Sequence, residues 1–255
     1  MASDYYRVTD WQTRAESLGH SVGLVVGAFV LGLVCTYLIA FVLVGLDLVS
    51  IEALANPEVP APAWANVVLT VAQFAGLGLA VLGYLYWRGR GDLFGYDVPD
   101  LRDLAFGVGG FVALFGATVA LSLVIRFLDA ETATNQVVEL GQQNPELFLY
   151  LIPVTILVVA PVEEVLFRGV VQGLLRDGYG IVPGVILAST MFGVAHWLAL
   201  TGGGKLTYVA VAGVLGLILG TVYELTENLI IPVGIHGAWN AFLFGSQYLG
   251  ATGAI

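Results

Sequence analysis

Apolar runs recur along the chain at about residues 21–46, 64–87, 104–128, 146–175, 181–200, 206–223 and 229–249. At about 1.5 Å per helical residue, each approaches or exceeds the ~30 Å thickness of a bilayer's hydrocarbon core. Inside that core every backbone N–H and C=O must find its partner within the protein, and a helix satisfies them within one segment. The weakly alternating strands of a membrane barrel look different. The expectation is an all-α, polytopic transmembrane helical bundle of about seven spans. Composition agrees, with 58% hydrophobic and 11% charged residues against roughly 25% charged in an ordinary soluble domain.

The bilayer is therefore the first partner, and the remaining composition excludes others. Formal charge is −10 and Lys205 is the single lysine, so there is no basic footprint for a nucleic acid. Such an acidic, lysine-poor surface suits a high-salt milieu. Cys35 stands alone inside the first run, without a disulfide partner or a charged or imidazole group near it in sequence, and reads as a small buried apolar residue. Residues 1–20 form a polar cytoplasmic or interfacial segment in which Arg7, Arg14 and His20 are interleaved with Tyr5, Tyr6 and Trp11, suited to a short helix in the interface. Residues 21–255 read as a single transmembrane helical domain. The first run is too long for a signal-peptide core and is read as a retained span. The acidic loop that follows holds Asp47, Glu52 and Glu58. Arg7, Arg14, Arg88, Arg90, Arg102 and Arg176 fall on one side and Lys205 on the other, which makes the amino terminus cytoplasmic. An integral protein of the plasma membrane, with a site opening toward the cytoplasm, is the corresponding expectation.

The stretch Ala160-Pro161-Val162-Glu163-Glu164-Val165-Leu166-Phe167-Arg168-Gly169 puts three ionisable groups inside the fourth run. Charges at membrane depth cost at least a few kcal/mol and mark functional sites by default. Glu164 and Arg168 stand four apart with the acid first, the favourable order for an ion pair on one helix face. Glu163 projects about 100° away. If Arg168 holds Glu164 ionised, Glu163 is the carboxylate left to take and return protons. Pro161 removes a backbone donor two residues earlier and opens the helix there.

Two further runs, within the catalytic region of about 146–250, carry imidazoles. The fifth holds Phe192-Gly193-Val194-Ala195-His196-Trp197; the seventh holds His236-Gly237-Ala238-Trp239-Asn240, with His236 and Asn240 on one face. Counted from helix ends near Arg176, Pro183 and Asn228, Glu163 and His196 lie about 20 Å deep and His236 about 12 Å, close enough to meet in one cavity. Glu163 could draw a proton from water held by His196, while His236 and Asn240 donate to the oxyanion that forms. The protonated Glu163 would then return its proton to the leaving amine. Gly169-x-x-x-Gly173 and Gly216-x-x-x-Gly220 read as packing contacts.

Glu163-Glu164-x-x-x-Arg168, Phe192-x-x-x-His196 and His236-x-x-x-Asn240, in that order on successive helices, resemble the motifs of the CAAX protease and bacteriocin-processing family. These are intramembrane glutamic endopeptidases that include the type II CAAX prenyl endopeptidases. The resemblance covers residues 150 to 245. It implies Glu163 as general base, His196 as helper in activating water, His236 and Asn240 as the oxyanion site, and Glu164, Arg168 and Phe192 in support. It further implies metal-independent hydrolysis without a cofactor, a peptide or protein substrate that can carry a lipid, and eight spans in place of seven.

Three other readings stay open. Glu163, His196 and His236 could form a two-histidine, one-carboxylate zinc site, although no His-Glu-x-x-His pair is present. A proton-coupled carrier would use the same residue types, but calls for matching halves with broken helices. A non-catalytic scaffold or immunity protein could be built on the same bundle.

Overall fold

The computed structural model describes residues 5–7, 9–56, 59 and 61–254; Glu58 and the first four residues of the polar amino-terminal segment lie outside them. Helix α1 spans Trp11–Gly45, with the Asp10 side chain accepting from the Thr13 N–H at its first turn. That hydrogen bond holds the Asp10 carboxyl below the usual carboxylate range. At 35 residues α1 is far longer than the hydrocarbon core requires. The polar residues Gln12 to His20 are its first turns and not a separate interfacial helix. A one-turn helix α2, Ile51–Ala55, leads to α3, Ala63–Arg88, which stops at Gly89 in the left-handed region, φ 62°. Helix α4 spans Leu101–Phe127 and is capped by Asp100.

The remaining elements carry or frame the charged stretch. A two-residue strand β1, Thr134–Asn135, precedes the short helix α5, Gln136–Gln143. Helix α6 runs through Glu146–Tyr179. Helix α7, Ile181–Ala195, tightens into a 3₁₀ turn at His196–Ala199 and passes into β2, Leu200–Thr201, which pairs antiparallel with β1. Helices α8, Lys205–Thr226, and α9, Ile230–Ala251, complete the bundle.

Among the described residues six helices, α1, α3, α4, α6, α7 with its terminal turn, and α8, are long and apolar enough to cross a membrane. Six therefore stand where about seven were expected. Helix α9 has the length, 22 residues, but His236, Asn240, Ser246 and Gln247 dilute its apolar content.

Burial is inverted relative to a soluble domain. Phe41, Val108 and Phe127 face outward, whereas Glu164, Arg168, Gln172, Ser189 and His236 are buried. Helix α6 is the hub. Its residues Leu166, Phe167, Val170, Val171, Leu174 and Leu175 form one core with Leu24 and Ala28 of α1, Leu77, Val81 and Tyr84 of α3, and Ala188 and Phe192 of α7. A second core joins Leu114 of α4, Leu219 and Val222 of α8, and Ile231, Ile235 and Trp239 of α9. Without a hydrophobic drive between helices in lipid, close approach matters most. A Cβ added at Gly76 of α3 would lie 2.7 Å from the Gly32 Cα of α1, so those two backbones touch.

At the arginine-rich end, Arg90 hydrogen-bonds Asp177 and Asp92. The Asp177 bond foremost raises the Arg90 guanidinium above its ordinary value, and Arg90 holds the Asp92 carboxyl below the usual range. Arg102 donates to the Leu225 carbonyl, so the start of α4 meets the end of α8. Arg126, in the last turn of α4, thereby joins Lys205 at the opposite end.

Candidate active site

Helix α6 is not regular around the two glutamates. Wide turns at Thr155–Val159 and Val165–Val171 flank the short α-helical piece Ala160–Glu164. Their signature is an N–H bonded to the carbonyl five residues back, as in Ala160 to Thr155 and Gln172 to Phe167. Pro153 and Pro161 each lack a donor N–H, and helices accommodate such gaps by local widening, a feature concentrated at functional sites. The expected opening at Pro161 is present as the wide turn just before it.

Glu164 is fully buried, and both of its oxygens are engaged. Oε2 lies 3.2 Å from Arg168 Nε, and His236 Nδ1 lies 2.7 Å from Oε1. Glu163, 13% exposed, lies with Oε2 3.6 Å from His236 Nε2. The His236 imidazole is thus wedged between the two carboxylates, one at each nitrogen. With Nδ1–H donated to Glu164, Nε2 is the nitrogen that faces Glu163 and the cleft.

Phe192 organises the other side. The Arg168 guanidinium sits 4.3 Å above its ring, and Phe167, His196 and His236 approach it at 5.2, 4.6 and 5.9 Å between centroids, all edge-on. Aromatic pairs prefer this geometry, and a desolvated cation on a ring contributes about 2 kcal/mol. Arg168 Nη2 also donates to the Gly216 carbonyl of α8 at 3.4 Å. His196 Nδ1 donates to the Phe192 carbonyl at 2.8 Å, a carbonyl being only an acceptor, so Nε2 is left with its lone pair toward the site. Helices α7 and α8 touch backbone to backbone here, since a Cβ at Gly193 would meet the Val209 carbonyl at 2.5 Å.

Asn240 lies one turn along α9 from His236 and donates to Thr155 Oγ1 at 3.1 Å. Thr155 is buried and begins the first wide turn. One carboxamide N–H of Asn240 is used by Thr155, and the other remains. Gly237 lets α9 lie against α6, with a Cβ there 3.3 Å from the Ile156 Cα.

Glu163, Glu164, Arg168 and His236 are thus directly joined. His196 and Asn240 border the same cleft from α7 and α9, and Glu163 has no direct hydrogen bond or ion pair with His196. Sequence reasoning paired Glu163 with His196 and reserved His236 for the oxyanion; the nearest imidazole to Glu163 is instead that of His236. Thr155 escaped it, because it shows only as a hydroxyl in an apolar helix. Among the described residues no group of three histidine, cysteine or acidic side chains is placed to hold a metal. The third histidine, His20, lies elsewhere, against Tyr84 and Trp87.

Toward the arginine-rich end, Leu166 through Leu175 are buried without a break. Toward the Lys205 end, Trp197 and Leu198 are exposed.

A polytopic helical membrane protein with a buried cluster of acidic, basic and imidazole side chains within its bundle is the class that this arrangement defines. Residues 145–242, which hold every candidate side chain, match the type II CAAX prenyl endopeptidase Rce1-like family, in agreement with the resemblance carried by the motifs. The match implies a peptide hydrolase embedded in the membrane. No curated protein and no solved structure matches the chain.

Proposed function

We propose that the chain is a glutamate-dependent intramembrane endopeptidase that hydrolyses peptide bonds in membrane-associated or lipidated substrates. The observation that carries this reading is Glu163: a little-exposed carboxylate that faces only the second nitrogen of His236, while Arg168 and the first nitrogen of His236 hold Glu164. Glu163 takes a proton from a water placed between it and the His196 Nε2, and that water attacks the scissile carbonyl. The remaining Asn240 N–H and the His236 Nε2–H of the protonated imidazole stabilise the oxyanion. Collapse of the tetrahedral intermediate passes the Glu163 proton to the leaving amine. No serine or cysteine nucleophile takes part, and no metal is required.

The substrate follows from surroundings and family together. The cleft lies among lipid-facing apolar helices, which suits a peptide that already resides at the membrane, and the family match favours one bearing a prenylated cysteine. The plasma membrane is the proposed location, with the six arginines in the cytoplasm. The site is proposed to open toward the cytoplasm. Labelling of single cysteines placed at Arg102 and Thr201, in intact and opened cells, assigns the two ends.

The decisive measurement uses purified full-length protein and a quenched fluorogenic peptide, with and without a prenylated cysteine. Wild type should cleave the lipidated peptide, and Glu163→Gln should be inactive yet normally folded. A folded, fully active Glu163→Gln protein would sink the catalytic reading and favour a scaffold. Loss of activity with a strong chelator, restored by zinc, would replace the metal-free mechanism with a zinc one.

A further inference from the structure

On the outer surface of the bundle, α4 and α8 part into a groove of about 580 Å³ that shares no residue with the glutamate cluster. Its floor on α4 is low, because Ala105, Gly109 and Ala113 stand one above another at four-residue steps. A Cβ at Gly109 would meet nothing within 4 Å, so no helix contact calls for that glycine. Val214, Leu217 and Ile218 of α8 form an aliphatic wall. All three floor residues are exposed, so the groove opens sideways toward lipid.

One end is polar. Arg102 sits there, its Nη2 donating to the Leu225 carbonyl at 3.0 Å and its guanidinium 5.3 Å from the centre of the Phe106 ring. These contacts fix the side chain while the hydrogen bond takes one of its five N–H donors. Arg90, Arg168 and Arg176 each have a carboxylate, but among the described residues Arg102 has none within ion-pair distance. The carboxylates of Asp100 and Asp103, beside it in sequence, accept instead from the Asp103 N–H and the Asn228 amide. Thr221 adds an exposed hydroxyl, one turn before Leu225, and the rest of the lining is apolar. Ala113 lies about 16 Å along α4 from Arg102, roughly half of the ~30 Å hydrocarbon core. The groove therefore has the reach of one leaflet, with its cationic group at headgroup depth.

We propose that this groove binds one anionic phospholipid, its phosphate on Arg102 and one acyl chain along the floor. Basic pockets between spanning helices take anionic headgroups in this way, and a phosphate accepts well from a guanidinium fork. A zwitterionic lipid brings its own ammonium group to the same point and is held less tightly. The inference does not depend on the peptidase reading. Val222 lines the groove and also belongs to the core that seats α9, so a bound lipid braces α4 against α8 beside the helix that carries His236.

Native mass spectrometry of the purified full-length protein, stripped in detergent and titrated with phosphatidylglycerol or phosphatidylcholine, tests this. Wild type should form a one-to-one complex with phosphatidylglycerol, about tenfold tighter than with phosphatidylcholine. Arg102→Gln should weaken that complex about tenfold or more, the loss expected for a hydrogen bond between charged groups, and erase the preference. Gly109→Leu fills open space on the floor and should abolish the complex with either lipid, leaving the unfolding midpoint without added lipid unchanged. Arg88→Gln removes a guanidinium that lies against Trp87, outside the groove, and should bind as wild type does. Equal affinity of wild type for the two lipids, normal binding by Arg102→Gln or Gly109→Leu, or an equal loss in Arg88→Gln would each overturn the proposal and leave only exchangeable bulk lipid. A dimer that Gly109→Leu dissolves would place a second copy of the chain in the groove and overturn it as well.

Discussion

Replacing Arg168 by methionine isolates what the buried charge network contributes. Arg168 is 1% and Glu164 0% exposed at the side chain, so no solvent can substitute for the guanidinium. In Arg168→Met two carboxylates, Glu163 and Glu164, remain beside one imidazole, and the ring of Phe192 loses its cation. Removing one partner of a buried pair costs about 3–5 kcal/mol. At about 1.4 kcal/mol per decade that is a roughly hundredfold to several-thousandfold shift in the unfolding equilibrium. The double variant Glu164→Gln with Arg168→Met removes both charges, while the glutamine Oε1 still accepts from His236 Nδ1. Its cost should fall below ~2 kcal/mol, because a buried pair exchanged for neutral groups of similar volume is often close to neutral. Tryptophan fluorescence during SDS titration of the protein in mixed micelles measures both. If the double variant is as unstable as Arg168→Met, the destabilisation comes from lost packing, and the electrostatic reasoning fails.

Four further outcomes are expected. Asn240→Ala should lower kcat about a hundredfold to a thousandfold, as for removal of one oxyanion donor, and Thr155→Val, which only frees Asn240 to rotate, should lower it less; steady-state cleavage of the fluorogenic peptide decides. His236→Ala should abolish turnover and also lower the SDS midpoint, since it leaves Glu164 with Arg168 alone. Gly193→Ala should destabilise the bundle and slow cleavage together, because the added Cβ meets the Val209 carbonyl at 2.5 Å and pushes α8 off α7. At the arginine-rich end, the depressed Asp92 carboxyl contributes stability that is present above the unfolded-state value of about 4 and disappears as pH falls through its lower folded value. Arg90→Ala should therefore lose stability relative to wild type near neutral pH and converge with it in acid, which unfolding midpoints across pH will show.

Much of this site is visible in the bare chain because it rests on local geometry. The pairing of Glu164 with Arg168 needs only four-residue spacing on one helix, and Asn240 one turn from His236 needs no more. The charge-poor apolar runs fix helices, and six of them have spanning length and hydropathy. What escaped depends on phase and tilt between helices. Depth counted along separate helices brings Glu163, His196 and His236 into one cavity, but it does not tell that His236 is the imidazole that touches both carboxylates. The wide turns in α6 shift its face in a way no uniform 100° step anticipates. The pairing of β1 with β2 was invisible because two-residue strands leave no alternating pattern.

The two wide turns have a further consequence, one of length. Each holds one residue more than an ordinary α turn, so the helix contains surplus chain on both sides of Ala160–Glu164. Deleting one residue between 155 and 159 need not unravel α6; the turn can close to the standard form, with Leu166 to Leu175 still seated. Everything upstream would then keep nearly the same face, because a wide turn and an ordinary α turn each sweep about one revolution. Helix α6 thus holds slack on each side of the two glutamates, so that the loss of one residue there can be absorbed while Thr155 stays opposite Asn240 and the core stays put.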